Sequence, residues 1–301
     1  MEKLNIFDNE LLVKDYVCCN NPNNMIKTRP SLRLFIKLTD DCNANCLFCA
    51  NNSSKDYGNI DLKKLEYVIR YLKNNNILHG ISITGGEPML YPDKLNELVN
   101  LIYKIDPTME LQISTNGINL EKFMEFDNIN KLESIHISRH HYLDNINYEI
   151  FQNRNVSNNN KILELQEFLD DKKIININTI VMKNYINSLK EIKKMLNHVG
   201  ELGVYKNGFV SLMKCNKYSN DNFINFNTIF ESLDDNFFKG HHFYSSKYCE
   251  CIDGIYLTNK NKLVEYYARM VKNNEIPYVY QLVYTSDNKL KSGFNGKVIF
   301  K

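Results

Sequence analysis

A chain of 301 residues, 43% hydrophobic and 24% charged, can bury a sizeable core as one large α/β domain, alone or with a small appendage. Its net charge of +2 excludes the strong fields that would recommend nucleic acid or an anionic membrane as a partner. The N-terminus lacks a secretory signal pattern and no stretch reaches the ~18 to 20 apolar residues of a membrane span, so a cytoplasmic location is expected and the eight cysteines read as thiols or metal ligands rather than disulfides.

Residues 1–30 form an N-terminal extension containing Cys18 and Cys19. Beyond it, short β-type runs alternate with helical patterns. Strands are predicted over 34–39, 81–84, 110–114, 134–138, 174–182 and 208–213. Between the first two, Leu62, Leu65, Val68, Ile69 and Leu72 share a helical face, and Leu95, Leu98 and Val99 do so after the second. Six such alternations predict parallel strands joined by right-handed helical crossovers, in an open sheet or a full or partial barrel. Ligand chemistry should gather at the C-terminal ends of the strands. Residues 31–215 are therefore expected to form the catalytic body. After Cys215 the pattern shifts to an Asn- and Phe-rich stretch and two apparent hairpins near 258–261 and 286–289. Residues 216–301 accordingly read as a separate small α+β appendage.

The segment leaving the first strand carries Cys42, Cys46 and Cys49 at C-x3-C-x2-C spacing. Three thiolates can occupy three corners of a cuboidal 4Fe-4S cluster, leaving one iron for a distant ligand, a cofactor or a substrate. Taken alone, the spacing also admits a structural zinc site completed elsewhere, or unligated thiols.

Cys42-x3-Cys46-x-Phe48-Cys49 resembles the signature of the radical S-adenosylmethionine (SAM) superfamily, in the branch of the molybdenum-cofactor cyclases and their relatives with small C-terminal cluster domains. The resemblance implies a partial (β/α)6 TIM-like barrel. It also implies a 4Fe-4S cluster on Cys42, Cys46 and Cys49, whose open iron chelates SAM and whose electron cleaves it to a 5′-deoxyadenosyl radical that abstracts hydrogen from a substrate. An electron donor such as flavodoxin or ferredoxin follows from that chemistry. Cofactors of this kind carry the radical chemistry, while protein orients and excludes solvent. A noncatalytic iron–sulfur module and a structural zinc protein are the alternatives.

Further motifs stand at successive strand ends. Gly85-Gly86-Glu87-Pro88 resembles the family's GGEP segment, so its backbone and Glu87 are expected to receive the SAM amino group, glycine allowing close approach. Ser114-Thr115-Asn116-Gly117 resembles the family's TNG turn, placing Ser114 and Asn116 near SAM. Ser138 fits a SAM ribose or carboxylate contact. Asn178 is similar to the strand Asn of the cyclase branch, and Phe48 belongs to the cluster motif itself. Arg139, His140 and His141 depart from the family's commoner Ser-x-Asp pattern. Arg139 suits a carboxylate or phosphate, and either histidine suits proton transfer. Late in the chain, Cys215, Cys249 and Cys251 fall where relatives carry an auxiliary cluster, so a second Fe-S cluster is an expectation, with Cys18 or Cys19 as further thiols. A peptide or protein would suit the appendage as substrate; a small nucleotide- or sugar-like molecule would suit Arg139 and the histidines.

Overall fold

The computed structural model describes residues 2–13, 31–51, 58–170, 174–225, 227–230, 238–245, 252–258, 263–268, 279 and 281–301. Cys18, Cys19, Cys249 and Cys251 lie outside the described residues.

Strands β1 (Glu2–Ile6) and β2 (Asn9–Val13) make an N-terminal hairpin. Its two-residue turn puts Phe7 at φ 48° and Asp8 at φ 60°, the left-handed conformation that matches strand twist. Phe7 is not a turn residue by propensity; packing holds it there, with its ring stacked 3.9 Å from Tyr71 and 4.4 Å from Phe300 and its N–H donating to Tyr71 Oη at 3.1 Å.

Then come β3 (Leu32–Lys37), α1 (Leu62–Asn74), β4 (Leu78–Thr84), α2 (Pro92–Ile105), β5 (Glu110–Thr115), β6 (Ser134–Ser138), α3 (Asp144–Phe151), α4 (Asn159–Phe168), β7 (Ile175–Val181), α5 (Leu189–Glu201) and β8 (Lys206–Ser211). The six strands β3 to β8 pair in chain order, all parallel, the arrangement of a partial TIM-like barrel. Helix α1 starts where Asp61 accepts from the Lys63 and Lys64 amides. It buries Leu65, Val68, Ile69 and Leu72, each worth about 1.5 to 3 kcal/mol on full burial.

Alternation along the strands splits the sheet into two unlike faces. Ile81, Ile83, Leu111, Ile113, Ile135, Ile137 and Ile177 are fully buried in the main core with the helices. On the other face, pairing brings Phe35, Ser82, Gln112 and Ser134 into one row, then Ser114, His136, Asn176 and Lys206, then Ser138, Asn178 and Gly208. That face is mostly polar, unlike the apolar layers that fill a closed barrel.

The remaining elements are α6 (Lys217–Asp221), α7 (Asn227–Phe230), β9 (Phe238–Ser245), β10 (Ile252–Thr258), β11 (Leu263–Ala268), β12 (Gln281–Tyr284), β13 (Leu290–Lys291) and β14 (Val298–Phe300). They correct the expectation of a separate appendage over residues 216–301. β11 pairs parallel to β8 at one edge, and β12 pairs parallel to β3 at the other. The result is one sheet ordered β14-β13-β12-β3-β4-β5-β6-β7-β8-β11-β10-β9. The hairpin signals were local, whereas open edges of a parallel sheet recruit strands from anywhere in the chain. Leu282 and Tyr284 of β12 are sealed into the same core.

Candidate active site

A cavity of about 290 Å³ opens at the C-terminal ends of β3 to β8. Cys42, Cys46 and Cys49 line it together with Phe48, Gly85, Gly86, Glu87, Ser114, Asn116, Ser138 and Asn178. The expected residues from five separate chain segments thus meet around one space.

The cysteine loop is bound to the Gly85–Pro88 loop by backbone. Gly86 N–H donates to Thr39 O at 2.7 Å and Glu87 N–H to Asp41 O at 2.7 Å. Side chains are forbidden at this contact. A Cβ on Gly85, already at φ 147°, would sit 2.3 Å from Thr39 O, and one on Gly86 would sit 1.9 Å from Asp41 O.

Cys42 Sγ lies 3.4 Å from the Ala44 amide and 3.9 Å from Asn116 Nδ2. Burial pushes the Cys42 thiol up to about 11; burial, then the neighbouring Cys49 and Cys42, pushes Cys46 up to about 12. Thiolates here need a cationic partner, which iron supplies. Three thiols bordering a cavity with polar groups beyond them fit a cluster with one open iron.

Glu87 departs from the expectation of a free anion awaiting an ammonium. Its Oε1 accepts from the Met89 amide at 2.9 Å and Thr115 Oγ1 at 2.6 Å, and its Oε2 from the Asn116 amide at 2.6 Å. The carboxyl is 1% exposed, and burial raises it to about 7 against the lowering effect of these three donors. Glu87 therefore ties the β4 loop to the end of β5. Asn116 extends the tie, donating from Nδ2 to Asn43 Oδ1 at 2.7 Å in the cysteine loop.

The three residues after β6 diverge. His140 turns into the cavity, edge-on to Phe48 at 5.4 Å and stacked on Phe151 at 4.8 Å. Its Nδ1 accepts from the Ile180 amide at 3.3 Å. Burial lowers its pKa to about 3, which favours the neutral ring. Arg139 and His141, expected in the site with His140, do not line the cavity. Arg139 is fully buried, paired to Asp144 at 2.7 Å and donating to Tyr142 O at 3.0 Å and Ser157 O at 3.3 Å. His141 accepts from the Leu143 amide at 3.1 Å and stacks on Tyr142. Asn147 Oδ1 accepts from the His140 amide at 2.8 Å, and Ser157 O holds the Arg139 side chain on the other side of the strand end. With these bonds made, the middle residue of the three faces the cavity.

Sequence reasoning missed Asn51, which donates to Gly85 O at 3.0 Å, and Phe151, from the last turn of α3; both line the cavity. No motif marks either. Val210 and Met213 line it as well. Cys215 is exposed, with Sγ 3.9 Å from Phe48 O and 4.0 Å from Cys49 O. It abuts the first cysteine loop, while its expected partners Cys249 and Cys251 fall outside the described residues. No helix among the described residues is long and apolar enough to cross a membrane.

Comparison with known proteins agrees with this geometry. Residues 36–199 match the Radical SAM superfamily. A 7-carboxy-7-deazaguanine synthase of Clostridium acetobutylicum is 29% identical over 58% of this chain and 69% of its own length. A GTP 3',8-cyclase of Clostridium perfringens is 27% identical over 54% of this chain; the aligned part spans 50% of that protein. Among solved structures, Streptococcus suis SuiB shares the fold at a TM-score of 0.56 and 16% identity, over 89% of this chain and 62% of that one. The chain belongs to the radical SAM superfamily, enzymes whose cofactors are a 4Fe-4S cluster and S-adenosylmethionine.

Proposed function

We propose that Cys42, Cys46 and Cys49 hold the cluster, that SAM binds across the cavity they border, and that the substrate is a small polar nucleotide- or sugar-like molecule resting on the inner face of the sheet. Bound there, cluster and SAM supply reductive cleavage of SAM and hydrogen-atom abstraction. The protein's own part is placement. Phe48, His140 and Phe151 offer an aromatic wall for an adenine ring. Gly85 and Gly86 bring backbone close to the methionyl end, Glu87 and Asn116 hold that loop, and Ser114, Ser138 and Asn178 supply hydrogen-bonding groups. Flavodoxin or ferredoxin is the expected electron donor.

The observation that carries the substrate class is the polar row structure of the inner face. Ser82 donates to Gln112 at 3.2 Å, and Ser134, His136 and Asn178 form a connected set just below the cavity. That set reaches the cavity through Asn178, which lines it with Ser114 and Ser138, and neutral donors and acceptors in a concave site recognise a polar heterocycle or sugar. The names of the deazaguanine synthase and GTP cyclase relatives, both concerned with purine-type compounds, point the same way.

Anaerobically reconstituted, reduced protein should convert SAM to 5′-deoxyadenosine, and a purine nucleoside, nucleotide or sugar should accelerate that conversion and be consumed. Acceleration by peptides alone would overturn the substrate class. A reconstituted protein with no iron–sulfur absorbance would overturn the cluster ligands.

A further inference from the structure

His136 sits mid-strand in β6, on the face it shares with Ser134 and Ser138. None of the motifs described above includes it. Its Nε2 lies 2.8 Å from Ser134 Oγ and its Nδ1 lies 3.2 Å from Asn178 Nδ2. Asn178 in turn lines the cavity.

We infer that His136 is a positioning residue that dictates which end of the Asn178 amide meets the bound ligand. The inference rests on the reading of the cavity as the SAM site. An asparagine amide is an acceptor at one end and a double donor at the other. While Nδ1 of His136 is unprotonated it accepts from Asn178 Nδ2, so Oδ1 is the end left for the ligand; Nε2–H is then satisfied by Ser134 Oγ. Protonation makes Nδ1 a donor. Two donors cannot face each other, so the amide must rotate by half a turn and present Nδ2 to the cavity. A ligand amine or hydroxyl that donated to Oδ1 then meets a donor and is repelled.

The charged and titratable groups on the surrounding strands do not displace this contact. On β3 stand Lys37, paired with Asp40, and Arg33, which reaches Glu110 of β5 at 3.1 Å and Glu133 before β6 at 3.5 Å. His79 of β4 bonds Ser31, and Lys206 of β8 lies in the Asn176 row beside His136. Arg33 is thus paired with Glu110 and Glu133, and Lys37 with Asp40, while the contact with Asn178 is the one through which His136 reaches the cavity.

The test is the equilibrium affinity of the anaerobically reconstituted protein for SAM, measured calorimetrically between about pH 5.5 and 8.5, a range that spans the ordinary histidine pKa of ~6.5. Iron–sulfur absorbance at each pH confirms that the cluster is retained. Wild-type protein should bind SAM about tenfold more weakly at the acid end, equivalent to about 1.4 kcal/mol. His136→Asn, whose amide keeps a neutral partner beside Asn178, should bind with a flat profile. Asn178→Ala should also be flat, and weak throughout. A wild-type profile without the step, or a step that survives in either variant, would overturn the inference. Protein that carries the cluster yet binds no SAM at any pH would overturn the functional reading and this inference together.

Discussion

One residue step along β4 to β7 separates two kinds of surface. Ile83, Ile113, Ile137 and Ile177 lie beneath the helices with no exposed area, while Ser114, Ser138 and Asn178 line the cavity. The apolar face buries area and so stabilises the fold. The polar face contributes little apolar area and instead presents hydrogen-bonding groups at fixed spacing, which is what recognition requires. Stability and chemistry are thereby assigned to opposite sides of the same strands, and substitutions on the two sides should fail in different assays.

The largest effect expected is on the polar side. Cys46→Ala should reduce SAM cleavage to background in a 5′-deoxyadenosine assay and lower the iron content, while thermal unfolding of the cluster-free protein changes little. Unchanged cleavage would remove Cys46 from the ligand set. On the apolar side, Ile113→Ala should cost about 2 to 5 kcal/mol by denaturant titration through lost burial and a residual cavity. The fraction still folded should bind the cluster normally.

Glu87 lies where the two sides meet and should betray itself through pH. Its carboxyl titrates near 7 in the folded protein, above the ordinary 4.5. A raised acid stabilises the fold fully below its unfolded pKa and loses that contribution as pH rises through the folded value. Cluster-free protein should therefore lose up to ~3 kcal/mol between about pH 5 and 8 on this account, a slope that Glu87→Gln should flatten in stability measurements. A wild-type slope retained in that variant would assign the titration elsewhere. The smallest effect belongs to His141→Ala, which removes a side chain outside the cavity. SAM cleavage should stay within about twofold of wild type, a change under ~0.5 kcal/mol; a large loss would restore His141 to the site.

Much of the site was legible because its signals are local. A glycine pair that must admit backbone to 2.7 Å, a cysteine triplet in one loop, and apolar residues at period 2 or 3.6 can each be read within a few positions. Arg139, His140 and His141 were not legible in that way. Three consecutive polar residues after a strand carry no indication of which one turns inward. The decision rests on Asn147 and Ser157, eight and eighteen positions beyond Arg139, through bonds of 2.8 and 3.3 Å. Phe151 and Asn51 enter the cavity by packing that no motif encodes.

The sequence by itself determined the six-strand alternation, the cysteine loop at the end of the first strand and the order of motifs around the mouth, because periodicity and turn chemistry act over a few residues. Only the tertiary structure decided that β11 and β12 join opposite edges of one sheet, that Glu87 is bonded into the protein, and that His136 stands against Asn178. Those outcomes depend on pairings between residues distant in the chain, whose free energy exists only once the strands are side by side.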